Sequence, residues 1–346
     1  MGKVVGNVVA NFNPGKPLAT AEIQSLMVDA GERDEFALDR PQRTWEIHGH
    51  NDYYGHATIL KNYAQIPQRK TIKAAIEHGL FFGGFVSETD MYSRMPAILV
   101  PAKFRFPVLE KHTDKKLFAI GPLLGYAPHL LSEKALESEK QRLGRNLLVF
   151  PSHSTHIVDA HFDIDEYCKH LGEIGKDFDT IRICLYWKDV LRGQVKDFTR
   201  YGFECVTAGH IFDPLFLPRL KSIIECATVT TSNDLGTHVG YCVFMGKPHC
   251  LFSQKVTLTA KTEEIIEKSA PDVSDKPDVI EIRKAFSEWR DDISVQQKEV
   301  VERYWGISER KSVNELRAIF EEADELYKKQ RKILFRLKDR CNWLVR

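Results

Sequence analysis

Between residues 146 and 252 the chain alternates short apolar runs with longer amphipathic ones. Residues 147–150, 180–186, 203–207, 228–231 and 249–252 are short and rich in Val, Ile, Leu, Thr, Phe and Cys, as strands are. Between them, residues 164–174, 190–201 and 239–245 read as helices, closed by Gly175, Gly202 and Gly246. Asp213-Pro214 combines an N-cap with a proline at the first helical turn and opens a further helix to about Cys226. Strands alternating with helices of this length predict a parallel sheet with helices on both faces. In such sheets ligands bind beyond the carboxyl ends of the strands.

The polar residues gather at those ends. Ser152, His153 and Ser154 follow the first strand, Lys188 the second, His210 the third, and Ser232 and Asn233 the fourth. Gly236-Thr237-His238 then leads into a helix, whose N-terminus offers free N–H groups and a positive dipole to an anion. Turns are polar in any α/β protein, so part of this pattern is ordinary. Histidines recurring at successive strand ends, and a lysine directly after a strand, favour an anionic-ligand site. His153, His156 and His161 match no zinc spacing, so no metal is expected.

The first part of the chain is less regular. Residues 4–12 and 45–48 read as strands, and residues 19–30, 57–64 and 71–77 as helices. Residues 81–86, 97–100 and 117–120 read as further strands. The loop Gly49-His50-Asn51-Asp52-Tyr53-Tyr54-Gly55-His56 is dense in hydrogen-bonding groups, and Glu88-Thr89-Asp90 places carboxylates in another loop. His78-Gly79 suits a helix C-cap or a cleft edge. A polar helix over residues 132–143 ends at Gly144-Arg145, the expected domain boundary.

One stretch resembles a known family. Gly236, the slot at Tyr241 and Gly246-Lys247-Pro248, entered through Ser232-Asn233 and Gly236-Thr237-His238, are similar to the donor-binding segment of GT-B glycosyltransferases of the cell-surface polysaccharide class, which includes capsule, lipopolysaccharide and teichoic types. Many members carry Glu at the slot to grip the ribose; here it is Tyr241. The resemblance implies an α/β fold of two Rossmann-like domains facing a cleft, with a C-terminal helical extension. The expected divisions are 1–144 for the acceptor side, 145–285 for the nucleotide-sugar side and 286–346 for the helices. It implies a sugar transferred from a nucleotide-sugar to a glycan or lipid-linked acceptor, inverting and without metal or other cofactor. Ser152, His153, Ser154, Lys188, His210, Ser232, Asn233, Gly236, Thr237 and His238 would bind the donor. His78, matching a His-Gly of related cell-surface polymer transferases, would be the base, with His50 or Asp52 as alternatives. A glycerophosphotransferase, a nucleotide-sugar epimerase or a non-catalytic nucleotide- or glycan-binding subunit are the other readings.

Composition is consistent with this. The 346 residues are 43% hydrophobic and 28% charged, ordinary for a soluble globular protein, and the net charge of +1 gives no field favouring nucleic acid. No apolar run spans a bilayer and no signal segment is seen. The seven cysteines, all at or after Cys168, show no CxxC pairing, so reduced thiols and a cytoplasmic location are expected. Near the C-terminus, Lys328, Lys329, Arg331, Lys332, Arg336, Lys338 and Arg340 are interleaved with Leu334, Phe335, Leu337, Trp343 and Leu344. Such a helix either lies on an anionic membrane at the inner face of the plasma membrane or packs back across the domains.

Overall fold

The computed structural model describes residues 45–155 and 157–344. The strands and helices expected within residues 1–44, and His156, lie outside them. Three short strands, β1 (Ala74–Ile76), β2 (Ala97–Val100) and β3 (Lys116–Ala119), form a parallel sheet in that order. β4 (Asn146–Phe150), β6 (Thr180–Leu185), β7 (Glu204–Thr207), β8 (Val229–Ser232) and β9 (His249–Leu251) form a second parallel sheet, ordered β7-β6-β4-β8-β9. β5 (Val158–His161) and β10 (Thr257–Ala260) pair antiparallel beside it. From β4 the chain winds outward to β6 and β7, then returns to place β8 on the other side of β4. The direction of winding therefore reverses between β4 and β8, where open α/β sheets hold their ligands.

The central strands are apolar on both faces because both faces are covered. Leu148 and Phe150 of β4 point into one apolar cluster with Leu217, Ile223, Val239 and Val243. Leu147 and Val149 point into another with Tyr167, Leu171 and Phe198. The first cluster continues to Ile76 and Leu99 of the small sheet and to Ile282, Val301 and Trp305 of later helices. Trp305 lies against Gly240, where a Cβ would sit 2.2 Å from the indole, so the close approach requires glycine.

The regular half folds as its alternation predicts, with two departures. The helix expected from the Asp213-Pro214 cap begins at Phe216, with Leu215 at its N-cap position and no side-chain cap. The run over residues 190–201 is two short helices, Trp187–Leu191 and Gln194–Thr199, separated by Gly193 at φ 86°. The first half brings corrections. The helix expected over residues 71–77 is strand β1. Its alanines favour a helix locally, but Ala74, Ala75 and Ile76 are buried on both sides, and the Asn51 side chain pairs with the strand like a neighbouring backbone. Asn51 Nδ2 donates to the Ala74 carbonyl at 2.8 Å and Oδ1 accepts from Ile76 N at 2.9 Å. Residues 81–86 are loop rather than strand, and residues 45–48 bend rather than extend. The C-terminal helix Val313–Leu344 is unbroken and begins at a capping box, Ser312-Val-Asn-Glu315, whose Ser-x-x-Glu spacing is readable in the sequence. Leu316, Phe320 and Ala323 bury its first turns in the main core.

Candidate functional site

A cavity of about 370 Å³ lies where strand ends of both parallel sheets meet. His78 and Gly79 enter it just after β1. Ser152 and His153 follow β4, Tyr186 follows β6, and the segment from Asp234 to His238 follows β8. The volume falls in the range of small-ligand and cofactor pockets.

The wall on the β8 side is built by the helix Thr237–Phe244. Its N-cap Gly236 is extended and gives no side-chain cap; Val239 N donates to the Gly236 carbonyl at 3.2 Å, and Gly236, Thr237 and His238 line the cavity at this N-terminus. Thr237 joins the two halves of the chain at this point. Its Oγ1 accepts from Leu80 N at 3.1 Å, and its carbonyl accepts from Trp305 Nε1 at 2.9 Å. The His238 ring stacks on Phe150 at 4.8 Å. Burial, then the nearby His153, push its pKa down to about 3, so it meets a ligand as a neutral imidazole. The residue is partly exposed, but Nε2 is sealed from water and has no hydrogen-bond partner.

On the opposite wall, the loop carrying His78 is held by a buried ion pair. Arg105 Nη2 donates to Glu77 Oε1 at 2.7 Å and to the Phe85 carbonyl at 2.8 Å, and Nη1 donates to the Phe81 carbonyl at 3.3 Å. The His78 ring lies 5.0 Å from that of His50 and 5.2 Å from that of Tyr53. His50 Nδ1 is 3.1 Å from Asp90 Oδ1, and His48 Nε2 is 2.7 Å from the same oxygen. Burial raises the Asp90 pKa, but the two histidine hydrogen bonds and charges outweigh it and hold the carboxyl well below its usual range. Among the described residues, His48, His50 and Asp90 are the group able to hold a metal ion.

The structure thus brings together His78, Ser152, His153, Gly236, Thr237 and His238. It places the other sequence candidates behind the wall or away from it. Ser154 is fully buried, with N donating to Asp189 Oδ2 and Oγ accepting from Ala160 N. Asn233 is fully buried and its Oδ1 accepts from Ser152 N at 2.6 Å, tying the ends of β4 and β8 together. Ser232 is fully buried beside His249. Lys188 Nζ pairs with Asp159 at 2.7 Å and donates to the Thr155 carbonyl. His210 is buried against Trp187 at 4.0 Å. Asp52 Oδ2 accepts from the backbone of Trp45 and Glu46. His50 sits one ring behind His78.

Sequence reasoning missed Tyr54, His56, Tyr186 and Asp234, which also line the cavity. Tyr54 and His56 lie in the donor-rich loop already singled out. Tyr186 reads as the end of an apolar strand, which concealed it. The slot residue Tyr241 lines the cavity too, with its hydroxyl pKa raised by burial.

No protein-family model and no curated protein matches the chain. Among solved structures, it is similar to one described as "Structure of the Wall Teichoic Acid Polymerase TagF", at 10% identity and a TM-score of 0.36. The match covers 70% of this chain and 60% of that one, so this chain spans less than two thirds of that structure's length.

Proposed function

We propose that the protein is a transferase that uses a nucleotide-sugar donor to glycosylate a cell-surface glycan or a lipid-linked acceptor. One observation carries this reading. A helix N-terminus with Gly236, Thr237 and His238 meets the strand ends of β4 and β8 in a nucleotide-sized cavity, and His78 stands on the other wall. The helix dipole and its N–H groups would take the phosphates and stabilise the leaving nucleotide. His238, held neutral by burial, lines the cavity beside this N-terminus and would contact a phosphate through the edge of its ring that faces the cavity. Ser152 and His153 would contact the rest of the donor. His78 is the proposed base for the acceptor hydroxyl, because it stands on the wall opposite the proposed phosphate site and an imidazole nitrogen can take up a proton.

The test is donor-dependent release of free nucleotide from CMP-, UDP-, GDP- and CDP-linked donors, with calorimetric binding alongside. His238→Ala should weaken nucleotide binding about tenfold to hundredfold, the value of a hydrogen bond to a charged group. His78→Ala should keep binding and lose turnover. Equal nucleotide binding by wild type and His238→Ala, or unchanged turnover in His78→Ala, would remove those roles. Binding without release in any donor and acceptor combination would point to a non-catalytic subunit.

Among the described residues, no helix is long and apolar enough to cross a membrane. Lys328, Lys329, Arg331 and Lys332 are exposed on the C-terminal helix. We propose that they bring the protein to an anionic membrane carrying the acceptor. Co-sedimentation with phosphatidylserine vesicles at low salt, lost when these four are changed to Gln, is the expected result. Equal pelleting with neutral vesicles would overturn it.

A further inference from the structure

We propose that His48, His50 and Asp90 form a binding site for one divalent transition-metal cation of the zinc type, set behind the cavity wall. This departs from the expectation of a metal-free protein. It also stands independently of the transferase reading.

The geometry comes first. His48 Nε2, His50 Nδ1 and a carboxylate oxygen of Asp90 all lie within 4.8 Å of one another. The two nitrogens are 2.7 and 3.1 Å from Asp90 Oδ1. Ligand atoms at about 2.0–2.1 Å from a shared zinc-type ion stand roughly 2.9–3.4 Å apart at octahedral or tetrahedral angles. Small side-chain shifts would therefore open the triad around an ion.

Burial comes second. Asp90 is fully buried, and His48 is 6% exposed. Both histidines converge on Oδ1, while Oδ2 is also sealed from water and has no hydrogen-bond partner. A buried carboxylate oxygen left unmet is costly. A cation between the imidazoles and the carboxylate would meet Oδ1, and Oδ2 as well once the carboxyl turns to bind it through both oxygens. Lys115, whose charge acts on Asp90, is the neighbouring cation that such a site would have to tolerate. The Lys115 ammonium is directed to the carbonyls of Asp90 and Ser93, not to the carboxylate, and Glu77 is already paired with Arg105.

The donor set decides the class of ion. Two imidazoles and one carboxylate suit Zn(II), Co(II) or Ni(II), whereas Mg(II) and Ca(II) prefer oxygen alone. His50 is 19% exposed, so the remaining coordination position would lie on its side, toward His78.

The experiment uses tag-free full-length protein stripped with a chelator. Cobalt titration, followed by visible absorption, should show one saturable equivalent with d–d bands, displaced by zinc. Zinc should raise the melting temperature, and magnesium should leave it unchanged. His50→Gln, a change at a partly exposed residue, should keep the far-UV spectrum yet weaken cobalt at least about tenfold and lose the zinc-induced rise in melting temperature, measured against its own metal-free value. Asp90→Asn should do the same where it folds. No saturable cobalt absorption in folded wild type, the same affinity in His50→Gln, or an equal shift with magnesium would each overturn the proposal and leave a hydrogen-bonded triad.

Discussion

His56 and His238 in the cavity wall and the buried His249 are held neutral mainly by burial, and this makes stability depend on pH. Burial, then the nearby His78, lower the His56 pKa from 6.5 to about 3. His249 is shifted well below 6.5, also mainly by burial. In the unfolded chain both would bind a proton near pH 6.5. The folded state disfavours that proton, so the stabilisation is complete above about pH 6.5. It is lost as the pH falls toward the folded value, by up to about 1.4 kcal/mol per unit for each such group. His56→Leu should therefore lose less stability than wild type between pH 7 and pH 4.5, measured by urea unfolding at each pH. Parallel pH curves for the two proteins would contradict this. Gly240 offers a second test at the same scale. A Cβ 2.2 Å from the Trp305 indole has no room, so Gly240→Ala should cost about 1–3 kcal/mol, read as a lower urea midpoint. An unchanged midpoint would mean that the helices can separate without loss.

Elements near the site depend on buried pairs for their placement. Arg105 is fully buried, and it fixes both Glu77 at the end of β1 and the carbonyls of the following loop. Arg105→Leu leaves Glu77 buried without its partner, which should destabilise by about 3–5 kcal/mol. The double variant with Glu77→Gln should recover part of the loss, a coupling that a double-mutant cycle measures. Additive losses would mean that the pair does not act as a unit. At the C-terminus, Leu316 and Phe320 anchor the long helix in the main core. Phe320→Ala should lower stability by about 3–5 kcal/mol, seen as an early thermal transition. Full retention of the melting temperature would show that this helix is not part of the cooperative fold.

For the molecule as a whole, the sequence showed some layers of the design and concealed others. The β/α alternation from Asn146 to Phe252 and the Ser312–Glu315 cap were legible, because each depends on residues close in sequence, whereas the helix expected from Asp213-Pro214 starts only at Phe216. So was the gathering of Ser152, His153, Gly236, Thr237 and His238 at strand ends. The strand at Ala74–Ile76 was not legible. Its alanines favour a helix, and only Asn51, over twenty residues earlier, and burial on both faces make it a strand. Nor could the sequence separate Ser154, Asn233 and His210, which support the wall, from His153 and His238, which line it. Local pattern determined the parallel architecture and the side of the sheet that gathers polar groups. Tertiary structure alone decided which of those groups face the cavity and which are used up inside. It also brought Asp90 to His48 and His50. A side chain's partner is set by contacts between distant segments, and those distances exist only once the chain has closed on itself.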